Sequence, residues 1–139
     1  MNIAILGFGT VGQGVYRILD ERRAVLEEQS GEKIFVRKIL VRDTQKKRGD
    51  FSTGLLPLTE SFNDILADES IDVVFEVMSD KAKGIEYSRQ LLAQSKHVIS
   101  ANKAAIAAAF FELQDTAEKA GVHLRFEASV AGGIPLIDP

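Results

Sequence analysis

The stretch Gly7-Phe8-Gly9-Thr10-Val11-Gly12 fits the pattern G-x-G-x-x-G and decides the fold. An apolar run typical of a buried strand, Asn2 to Leu6, precedes it, and a long amphipathic segment follows it. In this pattern the first glycine permits a tight turn, the second lets the backbone approach a pyrophosphate, and the third lets the helix pack closely on the strand. The positive end of the helix dipole then faces the phosphate charge. Glycine-rich turns also end strands for purely structural reasons, but this position between a strand and a helix favours nucleotide binding.

Apolar periodicity along the rest of the chain predicts strands that alternate with helices. We expect one helix from the glycine turn to about Gln29, in which Gly14 permits close packing, and an alanine-rich helix that places Phe110 and Phe111 in the core. The predicted strands after the first are 34–41, 73–77, 97–100 and 123–126. This alternation predicts an α/β fold, a Rossmann-type, doubly wound, mostly parallel sheet with helices on both faces.

Composition limits the class of protein. The chain has 139 residues, which predicts a single domain, and the glycine pattern makes this domain, 1–139, a candidate for binding NAD or NADP. Its net charge of -3 gives no basic surface for nucleic acid or an anionic membrane. Cysteine is absent, which excludes a disulfide framework and cysteine-ligated metals. Without a signal-like N-terminus or an apolar run of membrane-spanning length, we expect a cytoplasmic protein with no membrane partner.

The end of the second strand carries candidates for recognising the adenosine ribose. Asp43 stands 31 residues after Gly12, beyond the usual spacing of about twenty, a difference that the long first helix explains. Asp43 alone favours a free 2'-hydroxyl, whereas basic neighbours favour a 2'-phosphate; these are Arg42, Lys46, Lys47 and Arg48. The alternative is a solvated basic loop. NAD and NADP both stay open, and the basic residues favour NADP.

Lys103 follows the short strand at 97–100 and is therefore expected near the carboxyl end of the sheet, where open α/β sheets bind ligands. There its ammonium would stabilise negative charge that develops on a nicotinamide or substrate oxygen. The alternative is an ordinary surface lysine at the start of a helix.

Glu127 ends the last predicted strand, directly before an irregular, glycine-containing turn. A glutamate at this position can accept a proton, bind an ammonium group or join main-chain carbonyls around a hard cation. The turn carbonyls of Val130, Gly132 and Ile134 are candidate oxygen ligands. The alternative is a solvated carboxylate.

Three separated tracts together resemble the nucleotide-binding domain of homoserine dehydrogenase. They are residues 7–15, residues 96–103 (KHVISANK) and residues 126–135 (FEASVAGGIP). Arg42-Asp43 is similar to the family as well, so the resemblance covers essentially the whole chain.

The resemblance implies reversible reduction of aspartate 4-semialdehyde to homoserine with NADPH or NADH, on the route to threonine, isoleucine and methionine. It implies that Phe8, Thr10, Val11 and Arg42 contact the dinucleotide, that Ser79 lies near the nicotinamide half, and that Lys103 belongs to the cofactor and substrate crevice as the catalytic candidate. It further implies a monovalent-cation site, for example for Na⁺, at Glu127, Val130, Gly132 and Ile134.

Two features depart from the family pattern. Ser79-Asp80-Lys81 stands where many members carry paired glycines, and the chain ends at Pro139, whereas members continue into a substrate-binding and dimerising domain. We therefore expect a fragment of a longer enzyme that forms homo-oligomers. The remaining alternatives are another dehydrogenase of a small amino acid such as aspartate, and a non-catalytic module that senses nucleotides.

Overall fold

The computed structural model describes residues 1–126. Its strands are β1 (Asn2–Leu6), β2 (Phe35–Leu40), β3 (Leu58–Thr59), β4 (Val73–Glu76), β5 (His97–Ser100) and β6 (Leu124–Arg125). Its helices are α1 (Thr10–Glu21), α2 (Arg23–Ser30), α3 (Asn63–Leu66), α4 (Lys81–Ala93) and α5 (Lys103–Ala120), with a short 3₁₀ helix at Thr53–Leu55.

The strands of the described range form one parallel sheet in the order β3-β2-β1-β4-β5-β6. This is the strand order of the doubly wound Rossmann fold, and it confirms the predicted fold class. The order reverses at β1, whose neighbours are β2 on one side and β4 on the other. A doubly wound sheet binds its ligands outside the carboxyl ends of the strands at this reversal, where β1 and β4 end next to each other.

Alternate residues of β1 enter two different layers of the core, since successive side chains of a strand point to opposite faces. Ala4 and Leu6 pack in one layer with residues of α4 and α5, such as Leu113. Ile3 and Ile5 pack in the other layer with Leu19 of α1. The sheet is therefore covered on both faces, which explains why β1 is a continuous apolar run.

The single helix predicted from the glycine turn to about Gln29 is wrong: the segment forms two helices. Arg22 separates α1 from α2 with φ -107° and ψ 14°. Neither proline nor glycine marks this break. The apolar period continues across it, because Leu19 and Leu26 contact the same core layer. Periodicity alone therefore could not locate the break.

The alanine-rich helix α5 is present but is interrupted at Ala109, which has φ -135° and ψ 20°. Phe110 packs against the core as expected. Phe111 is 85% exposed, so its predicted core position is wrong.

Candidate functional site

The three glycines of the turn after β1 have three different surroundings. Gly7 has φ +96°, a left-handed conformation that favours glycine, and a Cβ there would lie 3.2 Å from Met78 Cγ. A Cβ at Gly12 would lie 2.2 Å from the carbonyl oxygen of Gly7, so α1 packs directly on the turn. A Cβ at Gly9 would meet nothing within 4 Å among the described residues. The tight turn, the close packing and the open face that the pattern predicts are thus present.

The N-terminus of α1 faces this open side. Gly9 occupies the N-cap position and has no side chain to accept hydrogen bonds from the amides of the first turn. The Gln13 side chain donates from Nε2 to the carbonyl oxygen of Phe8 at 3.0 Å. This hydrogen bond holds the backbone of the glycine turn in place. Unpaired amides and the helix dipole together make this end of α1 attractive to an anion.

Phe8 contributes its backbone rather than its ring to the open face. Its side chain is only 6% exposed and packs edge-to-face on Tyr16 and Phe51, with ring centroids 5.8 and 5.3 Å away. Thr10 and Val11, in the first turn of α1, are exposed. Any contact of Phe8 with a dinucleotide is therefore made by main-chain atoms.

A cavity of about 890 Å³ lies along this turn. Its lining includes most of the predicted cofactor-binding residues: Gly7, Phe8, Gly9, Thr10, Val11, Arg42, Asp43 and Ser79. Gly12 is not in the lining, because it is packed against Gly7 inside the turn. The structure therefore brings the glycine turn, the end of β2 and the end of β4 to one cavity.

The basic loop, residues 42–48, forms one wall of the cavity. Arg42, Lys46 and Lys47 line it and are exposed, and the ion pairs found within residues 1–126 do not involve them. Asp43 accepts a hydrogen bond at Oδ1 from the Gln45 amide at 2.8 Å, as in an Asx turn. Three cations are thus free to meet an anionic ligand.

Arg48 behaves differently from the other basic residues of the loop. It is 8% exposed and donates from its guanidinium to the carbonyl oxygens of Asp43 and Lys46. Arg48 also lines the cavity, so its contact with a 2'-phosphate stays a prediction, although two of its donors are engaged by the backbone. These two hydrogen bonds hold the loop in shape.

The opposite wall is the turn that follows β4, residues 77–80, which we call the 77–80 turn. All of these residues line the cavity. None of residues 77–80 has a positive φ, because Ser95 is the only non-glycine residue with one in the described range. The turn therefore forms without the paired glycines. Asp80 caps α4 by accepting at Oδ1 from the Lys83 amide at 2.9 Å. Met78, Asp80 and Lys83 also line the cavity but are not among the residues predicted from the sequence; aspartate at a helix start was the available signal.

Lys103 is the first residue of α5 and is exposed. Asn102 caps this helix by accepting at Oδ1 from the Ala105 amide at 3.1 Å. Within residues 1–126, Lys103 has no hydrogen bond or ion pair, and it is not in the lining of the cavity. Its role in the crevice stays a prediction.

Glu76, the last residue of β4, is a fully buried carboxylate that the sequence analysis did not single out. It accepts hydrogen bonds from the Met78 amide at 3.0 Å, from Ser100 Oγ at 2.9 Å and from Asn102 Nδ2 at 3.4 Å. Burial raises its pKa above the ordinary value of 4.5, and these hydrogen bonds act in the opposite direction.

The predicted cation ligands Glu127, Val130, Gly132 and Ile134 lie outside the described residues. Within residues 1–126 no cluster of three or more histidine, cysteine, aspartate or glutamate side chains is arranged to hold a metal ion.

His97 and His123 have a structural contact, in which the His123 amide donates to His97 Nδ1 at 3.0 Å. None of the helices in the described part of the chain is both long and apolar enough to span a membrane.

Comparison with known proteins identifies one family. The family described as homoserine dehydrogenase, NAD binding domain, matches residues 7–127. Homoserine dehydrogenase of Corynebacterium glutamicum is 43% identical over 143 residues, covering 100% of this chain and 31% of the relative. The chain thus spans about a third of the length of the curated relatives it matches.

Solved structures agree with the sequence comparison. The crystal structure of Staphylococcus aureus homoserine dehydrogenase at pH 6.0 superposes with a TM-score of 0.89 and 46% identity, covering 99% of this chain and 36% of that one. A hyperthermophilic archaeal homoserine dehydrogenase in complex with NADPH has a TM-score of 0.76 at 22% identity, covering 97% of this chain and 46% of that one. The second likeness concerns the fold alone.

Proposed function

We propose, since this chain belongs to the homoserine dehydrogenase family through its NAD-binding domain, that residues 1–139 bind a nicotinamide dinucleotide for the interconversion of aspartate 4-semialdehyde and homoserine. This reaction would serve the biosynthesis of threonine, isoleucine and methionine. The relatives that carry the family name are about three times as long as the matched region, so this activity belongs to the proposal. We also expect the active enzyme to be a homo-oligomer.

The glycine turn is the observation that carries the proposal. Gly12 is closed against Gly7, whereas Gly9 is open and the first amides of α1 are free of side-chain caps. A diphosphate needs this combination, because its oxygens must approach the backbone more closely than a Cβ would allow. The residues present therefore fit the dinucleotide. When bound, its nicotinamide ring supplies a hydride donor or acceptor.

The two walls of the cavity distinguish the two ends of such a ligand. The basic loop follows β2 and the 77–80 turn follows β4, on opposite sides of β1. In a doubly wound fold the adenosine ribose lies at the end of the second strand, so the nicotinamide half would lie toward Ser79.

We favour NADP over NAD because of the free cations. Arg42, Lys46 and Lys47 present three positive charges to the cavity, and a 2'-phosphate would pair with them. Asp43 and Glu60 also line the cavity and favour a free 2'-hydroxyl, but the amides of Gln45 and Thr44 already engage their carboxylates.

Lys103 is the candidate for stabilising negative charge on the substrate oxygen. Its ammonium has no partner within residues 1–126, and the capped start of α5 fixes its backbone. Glu127 and the main-chain oxygens of Val130, Gly132 and Ile134 remain our proposed site for a monovalent cation such as Na⁺.

The experiment that tests the proposal is a parallel titration of the protein with NADPH and NADH, followed by intrinsic reduced-nicotinamide fluorescence and thermal unfolding. We expect saturable binding, tighter for NADPH, and homoserine-dependent reduction of NADP⁺ by the enzyme expressed from its whole gene. Failure of both coenzymes to bind would overturn the proposal. Binding without turnover of homoserine would instead favour a nucleotide-sensing role, and turnover of L-aspartate would favour an aspartate dehydrogenase.

A further inference from the structure

We propose that Glu76 is a positioning residue that fixes the nicotinamide side of the crevice, by holding the 77–80 turn and the start of α5 in one geometry. This inference rests on the proposed function, since it concerns the same crevice. Glu76 itself is fully buried and does not reach a ligand.

The first link joins Glu76 to the cavity wall. One carboxylate oxygen, Oε1, accepts from the Met78 amide at 3.0 Å, two residues along the chain. Met78 in turn contacts the glycine turn, because a Cβ at Gly7 would lie 3.2 Å from its Cγ. The carboxylate thereby sets the direction in which the chain leaves β4 and the distance between the two turns.

The second link joins Glu76 to the segment that carries Lys103. Oε2 accepts from Ser100 Oγ at 2.9 Å, and that hydroxyl accepts from the Asn102 amide at 3.1 Å. The Asn102 side chain donates from Nδ2 to Glu76 Oε1 at 3.4 Å and to the carbonyl oxygen of Asp80 at 3.1 Å. Lys103 follows directly after Asn102, so its backbone is tied to the wall through this network.

Because the Glu76 carboxylate is buried, its hydrogen-bond donors must come from the protein itself. No charged side chain is among the hydrogen-bond partners of Glu76 in residues 1–126, so the carboxylate depends on its three neutral donors. Gly84 of α4 leaves the space for it, since a Cβ there would lie 2.4 Å from Asn102 Nδ2 and 3.2 Å from Glu76 Oε2. An apolar residue at position 76 would leave these buried donors without their acceptor and the two chain segments unconnected.

The test compares two ligands that differ only at the nicotinamide end. NADPH occupies both halves of the crevice, whereas 2'-phospho-ADP-ribose lacks the nicotinamide ring and uses only the glycine turn and the basic loop. Dissociation constants for both are measured by calorimetry at a temperature where circular dichroism shows every variant folded. The protein is expressed from its whole gene.

Glu76→Gln is the main variant, because its amide keeps one acceptor and places a donor where Ser100 or Met78 already donates. We expect NADPH to bind about tenfold more weakly, as for the loss of one buried charge-assisted hydrogen bond, while the affinity for 2'-phospho-ADP-ribose changes less than about twofold. Ser100→Ala removes the hydroxyl that joins Glu76 to the Asn102 amide but leaves the other two hydrogen bonds of Glu76, and it should shift NADPH affinity in the same direction by a smaller factor. Glu112→Gln, at an exposed ion pair with Arg89, is the matched control and should change neither constant.

Equal weakening of both ligands would show a general structural role and overturn the inference. Unchanged NADPH affinity in folded Glu76→Gln and Ser100→Ala would overturn it as well. If the unmodified protein binds neither ligand, the proposed function fails instead, so the two failures are distinguishable. If Glu76→Gln does not fold, Ser100→Ala and its ratio of the two affinities decide.

Discussion

Gly12 lies so close to Gly7 that a Cβ atom on Gly12 would be 2.2 Å from the Gly7 carbonyl oxygen and 3.0 Å from its carbonyl carbon. Both of these atoms belong to the backbone, so no side-chain rotation can relieve the overlap. Gly14, two residues further along the same helix, is exposed, and a Cβ there would meet nothing within 4 Å among residues 1–126. The predicted close packing at Gly14 is therefore wrong, and the two glycines form a natural pair for comparison.

Gly12→Ala should lower the free energy of unfolding by about 2 kcal/mol or more, since α1 must move away from the turn. Coenzyme binding should fall in parallel. Gly14→Ala should raise the free energy of unfolding by about 0.5–1 kcal/mol, because alanine is the better helix former at an exposed position. Urea denaturation of both variants checks the pair, and equal effects would contradict the packing argument.

Arg42→Ala should weaken NADPH binding by about tenfold and change NADH binding by less than about twofold, because only NADPH carries the 2'-phosphate. The difference should shrink as salt screens the exposed charges. Fluorescence titrations with both coenzymes measure it. Arg23→Ala removes the arginine of α2 that forms an ion pair with Asp20 of α1, and it serves as the control. Equal loss for both coenzymes would argue against recognition of the phosphate by Arg42.

Lys103→Ala should separate activity from stability. Lys103 is exposed, has no partner within residues 1–126 and stands at a helix N-terminus, where a cation is unfavourable. The free energy of unfolding should change by less than about 0.5 kcal/mol. The kcat/KM for homoserine should fall about a hundredfold, as for the loss of one group that stabilises charge in the transition state. Lys119→Ala, which removes a surface ion pair with Asp115, is the control; full activity of Lys103→Ala would exclude the proposed role.

The pH dependence of stability should report the buried carboxylate of Glu76. Its pKa is raised above 4.5 in the folded state by burial, so the folded protein holds this proton more tightly than the unfolded chain does. As pH rises from 4.5 through the raised pKa, the contribution of Glu76 to stability must fall. Glu76→Gln lacks this titration. The stability of the unmodified protein relative to the variant should therefore decline across that window in thermal unfolding; a constant difference would contradict the raised pKa.

Some features of the site could be predicted because they depend on backbone chemistry at fixed spacing. The glycine pattern gives the turn, the open face and the close packing, and each requires a glycine at a particular position. Arg42 and Asp43 line the cavity because the end of a parallel strand next to β1 leads there, while their contact with a dinucleotide stays a prediction. The two hydrogen bonds from Arg48 to backbone carbonyls could not be predicted, since charge on a loop does not reveal whether a guanidinium binds the backbone or solvent.

The sequence by itself determined most of the alternation of strands and helices, the position of the glycine turn and the family, because apolar periods and short-range glycine geometry are local properties. Only the tertiary structure decided that Glu76 joins Met78 to Ser100 and Asn102, that α1 and α2 separate at Arg22, and that Phe111 is exposed. The physical reason is that hydrogen bonds between β4 and β5, and the shape of the core against each helix, depend on residues far apart in the chain. No local pattern encodes which of these distant groups meet.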